Sequence, residues 1–194
     1  MIHSKPSYVP LAWDTEGASH LLVAHAGGGE ALLRLLDSGR YASITVRYAG
    51  EPFDNADYAA RLARAAPEAF QYFDSVEAML DALRADLATS RMGLRLYLAG
   101  SERFLWRATG IATAAGLCAD EIRREQAGSR ARAVYCVHCK NIEPQVTTNI
   151  LTCPGCARTL MVRDHYSARL AAYMGFQVDA EAPGAIPAVE TLYA

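Results

Sequence analysis

The sequence predicts an α/β domain, a parallel sheet with helices on both faces, followed by a small module built on four cysteines. Two observations support this prediction. Apolar runs of strand length alternate with helical patterns about five times over some 105 residues, as in parallel sheets with crossover helices. Two Cys-x-x-Cys pairs then follow, Cys136–Cys139 and Cys153–Cys156. We therefore place one domain at residues 1–128 and the cysteine module at residues 129–194.

In the first domain, short apolar or β-branched runs mark the strands, and apolar residues at helical spacing mark the helices. The predicted strands are residues 20–25, 44–48, 69–73 and 94–99, with a weak last strand at Ile122. The predicted helices follow the glycine run at residues 27–29, cover residues 55–65 with Asn55 as N-cap, start after Asp74 or Ser75, and cover about residues 102–115.

The second region begins after a linker at residues 126–130. Residues 146–151 suit a hairpin that would bring the two cysteine pairs together. Residues 164–173 are predicted to form a short helix capped by Asp164. From Asp179 onward the chain is rich in Pro, Ala and Glu, so we expect an irregular tail or a docked, extended arm.

Composition and charge exclude several classes of function. The chain of 194 residues is 52% hydrophobic and has a formal net charge of −2, so it offers no basic field for nucleic acid or for an anionic membrane. No run approaches the roughly 20 apolar residues that span a bilayer. The first residues also lack the apolar stretch of a secretory signal. We expect a cytoplasmic protein without nucleic-acid or membrane partners.

The two cysteine pairs, separated by thirteen residues, have close to the spacing of a zinc ribbon. Each Cys-x-x-Cys pair forms a tight turn, called a knuckle, that directs two thiolates at one metal ion, and two knuckles complete a tetrahedral site. We predict that Cys136, Cys139, Cys153 and Cys156 bind one metal. Redox-active or unliganded cysteine pairs are the alternative.

Zinc is the predicted ion, with a single iron in the same site as the alternative. Rubredoxin-type iron sites usually have glycine after each knuckle, whereas this chain has Lys140 and Ala157 there. Zinc in a closed site would be structural, and iron would carry one electron. His138 and His165 are expected to lie at the surface rather than to bind the metal. The fifth cysteine, Cys118, is expected to be a buried, inert thiol.

Two loops of the α/β domain have the character of nucleotide-binding turns. Gly27, Gly28 and Gly29 lie between a strand and a helix, and Gly100 and Ser101 occupy the same kind of junction. The first loop matches the G-x-G-x-x-G fingerprint poorly, and Glu30 would oppose an anionic ligand. A tight structural turn is therefore the alternative to an NAD(P) site.

The segment His20-Leu-Leu-Val-Ala-His-Ala-Gly-Gly-Gly resembles the glycine segment of ferredoxin reductase-type NAD-binding domains. Residues 44–50 resemble the second strand of those domains, and Leu96-Tyr-Leu-Ala-Gly-Ser resembles their nicotinamide-side segment. Glu30 and Ala31 replace the threonine and proline of the family, and Ala99 replaces its cysteine. The flavin barrel that accompanies such domains is absent from this sequence.

The opening Ser4-Lys-Pro-Ser-Tyr, the cysteine module and residues 164–176 together resemble the DmmA-like family of dimethylamine monooxygenase subunits. The resemblance implies a subunit of an assembly that oxidatively demethylates a secondary amine with O₂ and NAD(P)H. It also implies companion subunits: a haem-type oxygenase, a flavin and iron–sulfur reductase, and a folate-binding component. It assigns this chain no catalytic residue.

The resemblance therefore implies a subunit of an oxidoreductase complex in methylamine metabolism, either a non-catalytic accessory subunit or an electron-transfer component. One alternative is a free-standing NAD(P)-binding reductase, which would need a flavin site. The other is a zinc-ribbon adaptor protein, which the acidic charge balance disfavours for nucleic acid.

Overall fold

The computed structural model describes residues 5–39, 43–50 and 58–193. The chain divides into two compact units. One unit comprises residues 8–128, and the other comprises the described residues from 129 onward together with residues 5–7. The division into domains at residues 1–128 and 129–194 stays a prediction.

The first unit contains a five-stranded parallel sheet with the order β3-β2-β1-β4-β5, which confirms the predicted fold class. In the described part of this unit, four α-helices alternate with the strands. The strands are β1 (Ser19–His25), β2 (Ile44–Ala49), β3 (Phe70–Phe73), β4 (Leu94–Gly100) and β5 (Ile122–Gln126). The helices are α1 (Gly28–Asp37), α2 (Tyr58–Ala65), α3 (Val76–Ala88) and α4 (Glu102–Ala114).

Alternate residues of the central strands point to two separate apolar cores, as the pleat of a strand requires. Leu21 and Val23 of β1 lie in the core shared with α3 and α4. Leu22 and Ala24 lie in the core shared with α1 and α2. Both faces of the sheet are thus covered by helices, which explains why the central strands β1 and β4 are buried and apolar along most of their length.

Helix α3 shows how the local sequence sets an element. Ser75 is its N-cap, and the Ser75 hydroxyl accepts a hydrogen bond from the backbone N–H of Ala78 at 3.2 Å. The apolar residues that predicted this helix are buried at Met79, Leu80, Leu83 and Leu87. The predicted cap of α2, Asn55, lies outside the described residues.

An irregular segment before β1 is held by the sheet, a feature that sequence patterns did not indicate. The backbone N–H of Leu11 donates to the Glu125 carboxylate at 2.7 Å. The Trp13 indole donates to the carbonyl of Leu35 at 2.8 Å. These contacts tie the segment to β5 and to the end of α1.

The second unit contains a five-stranded mixed sheet with the order β7-β6-β10-β9-β8. The central strand β10 runs parallel to β6 and antiparallel to β9. It thereby joins two hairpins, β6–β7 and β8–β9, into one sheet. The strands are β6 (Arg132–Cys136), β7 (Ile142–Val146), β8 (Ile150–Thr152), β9 (Thr159–Ser167) and β10 (Ala172–Gln177).

The helix predicted at residues 164–173 is wrong, because this segment forms the end of β9, a turn and the start of β10. Tyr166 and Tyr173 face each other across the two strands, with ring centroids 4.9 Å apart. Pairing between strands and burial of these rings outweigh the helix propensity of the local Ala and Leu residues.

The hairpin predicted at residues 146–151 is also wrong, because β7 and β8 lie at opposite edges of the sheet. Residues 147–149 instead hold the C-terminal tail. The backbone N–H of Leu192 donates to the Thr147 carbonyl at 3.0 Å, and Thr148 bridges to Thr191. The tail is therefore a docked, extended arm, one of the two expected outcomes.

Cys118 is exposed, whereas the sequence predicted a buried thiol. Helix α4 ends before it, and Cys118 occupies the N-cap position of a short 3₁₀ turn. The helical pattern that suggested burial stops one turn earlier, at Ala114. Among the described residues, no helix is long and apolar enough to cross a bilayer.

Candidate metal centre

The first knuckle is the turn of the hairpin formed by β6 and β7. Cys136 is the last residue of β6, and its backbone N–H donates to the Asn141 carbonyl at 2.8 Å. The N–H of Lys140 donates back to the Cys136 carbonyl at 2.9 Å. The turn therefore closes on itself and holds Cys136 and Cys139 on the same side.

The second knuckle is the turn between β8 and β9, and it repeats the same pattern. The N–H of Cys153 donates to the Arg158 carbonyl at 2.9 Å, and the N–H of Ala157 donates to the Cys153 carbonyl at 2.8 Å. Because both turns have the same hydrogen bonds, each of them presents two sulfurs in the same way.

The structure brings together all four predicted metal ligands. The sulfurs of Cys136 and Cys156 are 3.8 Å apart, and those of Cys139 and Cys153 are 3.5 Å apart. All four sulfurs lie within 4.8 Å of one another. A tetrahedral ion with metal–sulfur bonds of about 2.3 Å requires sulfurs about 3.8 Å apart. The observed separations therefore fit a single tetrahedral ion.

The four thiols form no disulfide, and the ionisation of two of them, Cys139 and Cys156, is shifted in opposite directions. The backbone N–H of Arg158 lowers the pKa of Cys156 to about 6. The N–H of Asn141 acts in the same direction at Cys139, but desolvation and hydrogen bonds with the other three sulfurs raise the pKa of Cys139 to about 12. Four thiolates therefore need a cation, and metal binding would release protons from this site.

Gly155 permits the close approach of the two knuckles. A Cβ atom at this position would lie 2.9 Å from the Cys139 sulfur and 3.1 Å from the Cβ of Asn141. Real Cβ atoms are not found that close to a sulfur, so a larger residue would push the knuckles apart. The cysteine spacing did not predict this role of Gly155, although a small residue inside a knuckle is a usable signal.

The residue after each knuckle adopts the left-handed conformation, with φ of 66° at Lys140 and 58° at Ala157. Glycine is the usual residue in that conformation, since a Cβ there costs roughly 1–2 kcal/mol. The backbone N–H groups of Asn141 and Arg158 nevertheless bond the sulfurs. The lack of glycine therefore does not prevent the N–H contacts, and it no longer distinguishes zinc from iron.

The histidines near the knuckles lie at the surface. His138 and His165 are exposed, and the group of possible metal ligands among the described residues consists of the four cysteines alone. A closed shell of four thiolates leaves no position for an additional ligand.

The two predicted nucleotide loops lie side by side at the carboxyl edge of the first sheet, because β1 and β4 are neighbours. A Cβ at Gly28 would lie 2.2 Å from the carbonyl oxygen of Ala99, so α1 begins directly against the end of β4. A Cβ at Gly27 would lie 2.9 Å from the Cα of Gly128. These glycines are required by contacts within the chain itself.

The other residues of these loops show the same pattern. A Cβ at Gly29 would lie 2.6 Å from the Tyr58 side chain, and one at Gly100 would lie 2.9 Å from the Phe104 ring. Ser101 is the N-cap of α4 but forms no side-chain capping hydrogen bond. At each glycine of the two loops, other atoms of the chain thus occupy the place that a Cβ would need.

Carboxylates occupy the first turns of both helices that would bind phosphate groups. Glu30 lies in the first turn of α1, and Glu102 lies in the first turn of α4. Glu102 is buried and accepts a hydrogen bond from the Tyr8 hydroxyl at 2.9 Å. A helix N-terminus attracts anions through its positive potential and its free N–H groups. These carboxylates therefore compete with a pyrophosphate for the same positive potential. They disfavour NAD(P) at the loops, and nucleotide binding by Gly27, Gly28, Gly29, Gly100 and Ser101 stays a prediction.

The family of the chain follows from two profile matches. Residues 1–122 match the family described as dimethylamine monooxygenase subunit DmmA-like, N-terminal domain. Residues 133–176 match the corresponding C-terminal domain, which contains the four cysteines. The two matches confirm the resemblance found in the sequence.

A similar curated protein is the heme-dependent oxidative N-demethylase delta subunit of Ectopseudomonas mendocina (strain ymp). It is 43% identical over 111 residues. The matched segment covers 57% of this chain and 63% of that protein.

Solved structures also resemble the chain. The flavohem-like FAD/NAD binding domain of nitric oxide dioxygenase from Vibrio cholerae has a TM-score of 0.40 at 16% identity, over 56% of this chain and 51% of that chain. An intact type IV self-sufficient cytochrome P450 monooxygenase has a TM-score of 0.48 at 19% identity, over 87% of this chain and 21% of that chain. The profile matches, which cover most of the sequence, show that the chain belongs to the DmmA-like family of dimethylamine monooxygenase subunits.

Proposed function

We propose that the chain is a non-catalytic subunit of a cytoplasmic oxidative N-demethylase and that its four-cysteine site holds a structural zinc ion. The assembly would remove a methyl group from a secondary amine such as dimethylamine, using O₂ and NAD(P)H. The single observation that carries this role is the closed set of four sulfurs within 4.8 Å, in a chain of the DmmA-like family.

The closed sulfur shell supports a structural ion. Four protein thiolates leave no open coordination position for a substrate or for O₂, so the ion would not act as a Lewis acid toward the amine. Zinc is favoured over iron because thiolate sites bind Zn²⁺ more tightly than Fe²⁺. The ion would hold the two hairpin turns together and thereby stabilise the second unit.

The carboxyl edge of the first sheet supports a scaffold role rather than a reductase role. The glycines of both loops are explained by packing, and carboxylates lie in the first turns of α1 and α4. The alternative of a stand-alone NAD(P)-binding reductase therefore receives no support from this edge. Binding of NADH or NADPH at micromolar concentration in a titration would contradict this part of the proposal.

The partners implied are the other subunits of the demethylase. We propose that these carry the haem that activates O₂, the flavin and iron–sulfur groups that deliver electrons, and the folate site. The name of the similar delta subunit supports a multisubunit assembly that depends on haem.

One observation keeps electron transfer as a second candidate. Cys139 is exposed, so an ion at the four sulfurs would lie close to the surface. An iron ion there would accept and donate one electron at that surface.

Reconstitution tests the proposed role. The purified remaining subunits of the demethylase should consume O₂ in the presence of dimethylamine and NAD(P)H only slowly without this chain. Addition of the zinc-loaded chain should restore the rate, and the isolated chain should show no activity. Equal rates with and without the chain would contradict the proposal. Restoration by the iron-loaded form alone would favour the electron-transfer candidate.

A further inference from the structure

The second sheet is curved, because a short linker joins its two edge strands. Strands β7 and β8 lie at opposite edges of this sheet, and residues 147–149 connect them directly along the chain. In a flat sheet, four strand spacings would separate these edges by about 19 Å. An extended chain from Val146 to Ile150 spans at most about 14 Å. The sheet therefore curls until its two edges approach each other at the linker.

The four sulfurs and the linker lie at opposite ends of the two hairpins. Cys136 is the last residue of β6, and Arg132 is its first residue. Arg132 pairs with Val146, which directly precedes the linker. Strand β8 likewise runs from Ile150, directly after the linker, toward Cys153. The sulfurs thus join the hairpins at one end, and the linker joins them at the other end.

The C-terminal arm, residues 188–193, is hydrogen-bonded along the linker. The backbone N–H of Asn149 donates to the Glu190 carbonyl at 3.1 Å, and the Glu190 N–H donates back to the Asn149 side-chain oxygen at 2.8 Å. The Asn149 carbonyl in turn accepts a hydrogen bond from the Val162 N–H of β9 at 2.8 Å. The arm is therefore tied to the sheet through the linker.

A buried arginine contacts the arm at this same end of the sheet. Arg132 is 6% exposed, and its guanidinium carbon lies 4.0 Å from the centre of the Tyr173 ring and 3.8 Å from the centre of the Tyr193 ring. Its Nη1 also forms an ion pair with the Asp164 carboxylate at 2.8 Å. Asp164 belongs to β9 and Tyr173 belongs to β10. One cation of β6 thus connects three strands and the arm.

The Tyr193 ring is the part of this cluster that the arm supplies. An aromatic ring attracts a cation through the negative potential of its face, and the attraction is stronger when the cation is desolvated. Arg132 meets that condition because it is buried. The ring contact therefore fastens the arm more strongly than a contact at an exposed arginine would.

We propose that the C-terminal arm is a strap that keeps the curved sheet closed at the linker end and thereby retains the metal at the other end, with the Tyr193 ring on Arg132 as its fastening contact. This inference rests on the metal site of the proposed function and adds a device that controls metal retention. The strap and the metal hold the same two hairpins together. Each therefore favours the closed sheet that the other needs, and release of the strap speeds release of the metal.

The test measures the rate at which the zinc-loaded full chain releases zinc to an excess of a chromophoric chelator. We expect Tyr193→Ala to release zinc about tenfold faster than wild type, because it loses a cation–π contact at a desolvated cation. Asn149→Ala keeps the ring but loses the side-chain hydrogen bonds to Ala188 and Glu190 of the arm. It should release zinc about threefold faster.

Hydrogen exchange of the zinc-bound chain gives a second readout. The backbone N–H groups of Asn149 and Tyr193 donate across the contact between linker and arm. Both should exchange faster in Tyr193→Ala than in wild type, while exchange in β4 of the first unit stays unchanged. Faster exchange at the arm without faster zinc release would overturn the coupling between strap and metal.

Two control variants test whether the ring contact is responsible. Tyr193→Phe keeps the ring and should release zinc at the wild-type rate. Val189→Ala changes a side chain of the same arm that is 63% exposed, and it should also release zinc as wild type does. Faster release from either control would overturn the assignment of the strap to the ring on Arg132.

Two further outcomes separate this inference from the proposed function. If wild type holds zinc and Tyr193→Ala releases it at the wild-type rate, the arm is not a strap, and the proposed metal site stands. If wild type holds no metal at the four cysteines, both the proposed metal site and this inference are wrong.

Discussion

The glycine loops of the first unit and the cysteine knuckles of the second unit have similar status in the sequence, since both are short motifs associated with ligands. In the structure they differ. Other atoms of the chain already occupy the space beside Gly27 and Gly28. A hypothetical Cβ would lie 2.9 Å from the Cα of Gly128 at the first position and 2.2 Å from the Ala99 carbonyl oxygen at the second. The four sulfurs of the knuckles instead surround a space of the size of one ion. A motif thus indicates a ligand only where the surrounding chain leaves room for one.

The largest effect is expected from Cys153→Ser, which removes one thiolate from the ligand set. Structural zinc contributes about 10–16 kcal/mol of apparent binding free energy in small zinc domains. We therefore expect loss of stoichiometric metal and of the cooperative folding of residues 129–193. Elemental analysis and hydrogen exchange would show this, with exchange in the first unit unchanged.

The matched control for that variant is Cys118→Ser. Cys118 is exposed and lies in the first unit, away from the sulfur cluster in sequence. This variant should keep its metal and its exchange pattern. Equal metal loss in the two variants would contradict the assigned ligand set, because metal binding would then not depend on the four-cysteine cluster.

The second largest effect is expected from Gly28→Ala in the glycine loop. The new Cβ would overlap the backbone of Ala99, and overpacking against backbone destabilises by about 3 kcal/mol. Urea unfolding followed by circular dichroism measures this loss. If the loop existed to make room for a nucleotide rather than to pack, the same change would leave stability intact and remove only binding.

Gly110→Ala is the control for this prediction. Gly110 lies inside α4, and apart from its chain neighbours and the backbone of its own helix nothing lies within 4 Å of its hypothetical Cβ. Alanine there should raise stability by about 1 kcal/mol, because glycine is a poor helix former. Opposite signs at the two glycines would sharpen the distinction between a packed glycine and an unconstrained one.

A smaller effect is expected from Gly155→Ala in the second knuckle. Its Cβ would press on the sulfur of Cys139 at 2.9 Å. We expect zinc affinity to fall about tenfold, within the range seen when groups around a metal site are changed. Competition with a chromophoric chelator measures this, and Pro154→Ala serves as the neighbouring control. Unchanged affinity in Gly155→Ala would mean that the knuckles approach each other less closely than described.

The smallest effect is the pH dependence of stability that comes from His20, a polar residue packed in the interior of the first unit. His20 is 2% exposed, and its Nδ1 lies 3.1 Å from the Tyr97 hydroxyl. Burial lowers the pKa of His20 below its ordinary value of 6.5. The unfolded chain therefore binds a proton more readily than the folded chain as pH falls below 6.5, and stability decreases there.

For one such group, the free energy of unfolding changes by at most about 1.4 kcal/mol per pH unit. Urea unfolding of wild type and His20→Gln between pH 7 and pH 5 would measure it, and the variant should show the shallower dependence. Asp14 affects stability in a separate pH range. The Arg95 hydrogen bond holds the pKa of Asp14 below 3.8, so the stability that this ion pair contributes is lost only at a more acidic pH. A wild-type slope equal to that of the variant would contradict the role given to His20.

The sequence predicted the parts of the molecule that depend on local pattern. The parallel order of the first sheet follows from alternating strand and helix patterns, and the ligand set follows from cysteine spacing. The second sheet was less predictable, because β10 pairs with β6 and β9 through contacts that join distant residues. The Tyr166–Tyr173 ring contact, for instance, leaves no periodic signal in the sequence.

The sequence also could not predict which distant residues come into close contact. The roles of Gly28 and Gly155 depend on which atoms lie beside them, and those atoms come from another strand or from the other knuckle. The segment around Leu11 likewise depends on Glu125, which is 114 residues away along the chain. Such contacts are set by the tertiary fold rather than by neighbouring residues.

The central claim is that one metal ion is bound by Cys136, Cys139, Cys153 and Cys156. X-ray absorption spectroscopy of protein purified without added metal, combined with elemental analysis, tests it most directly. We predict one zinc per chain with four sulfur neighbours at about 2.3 Å. A metal-free protein that is fully folded, or an ion with nitrogen or oxygen in place of any of the four sulfurs, would contradict the claim.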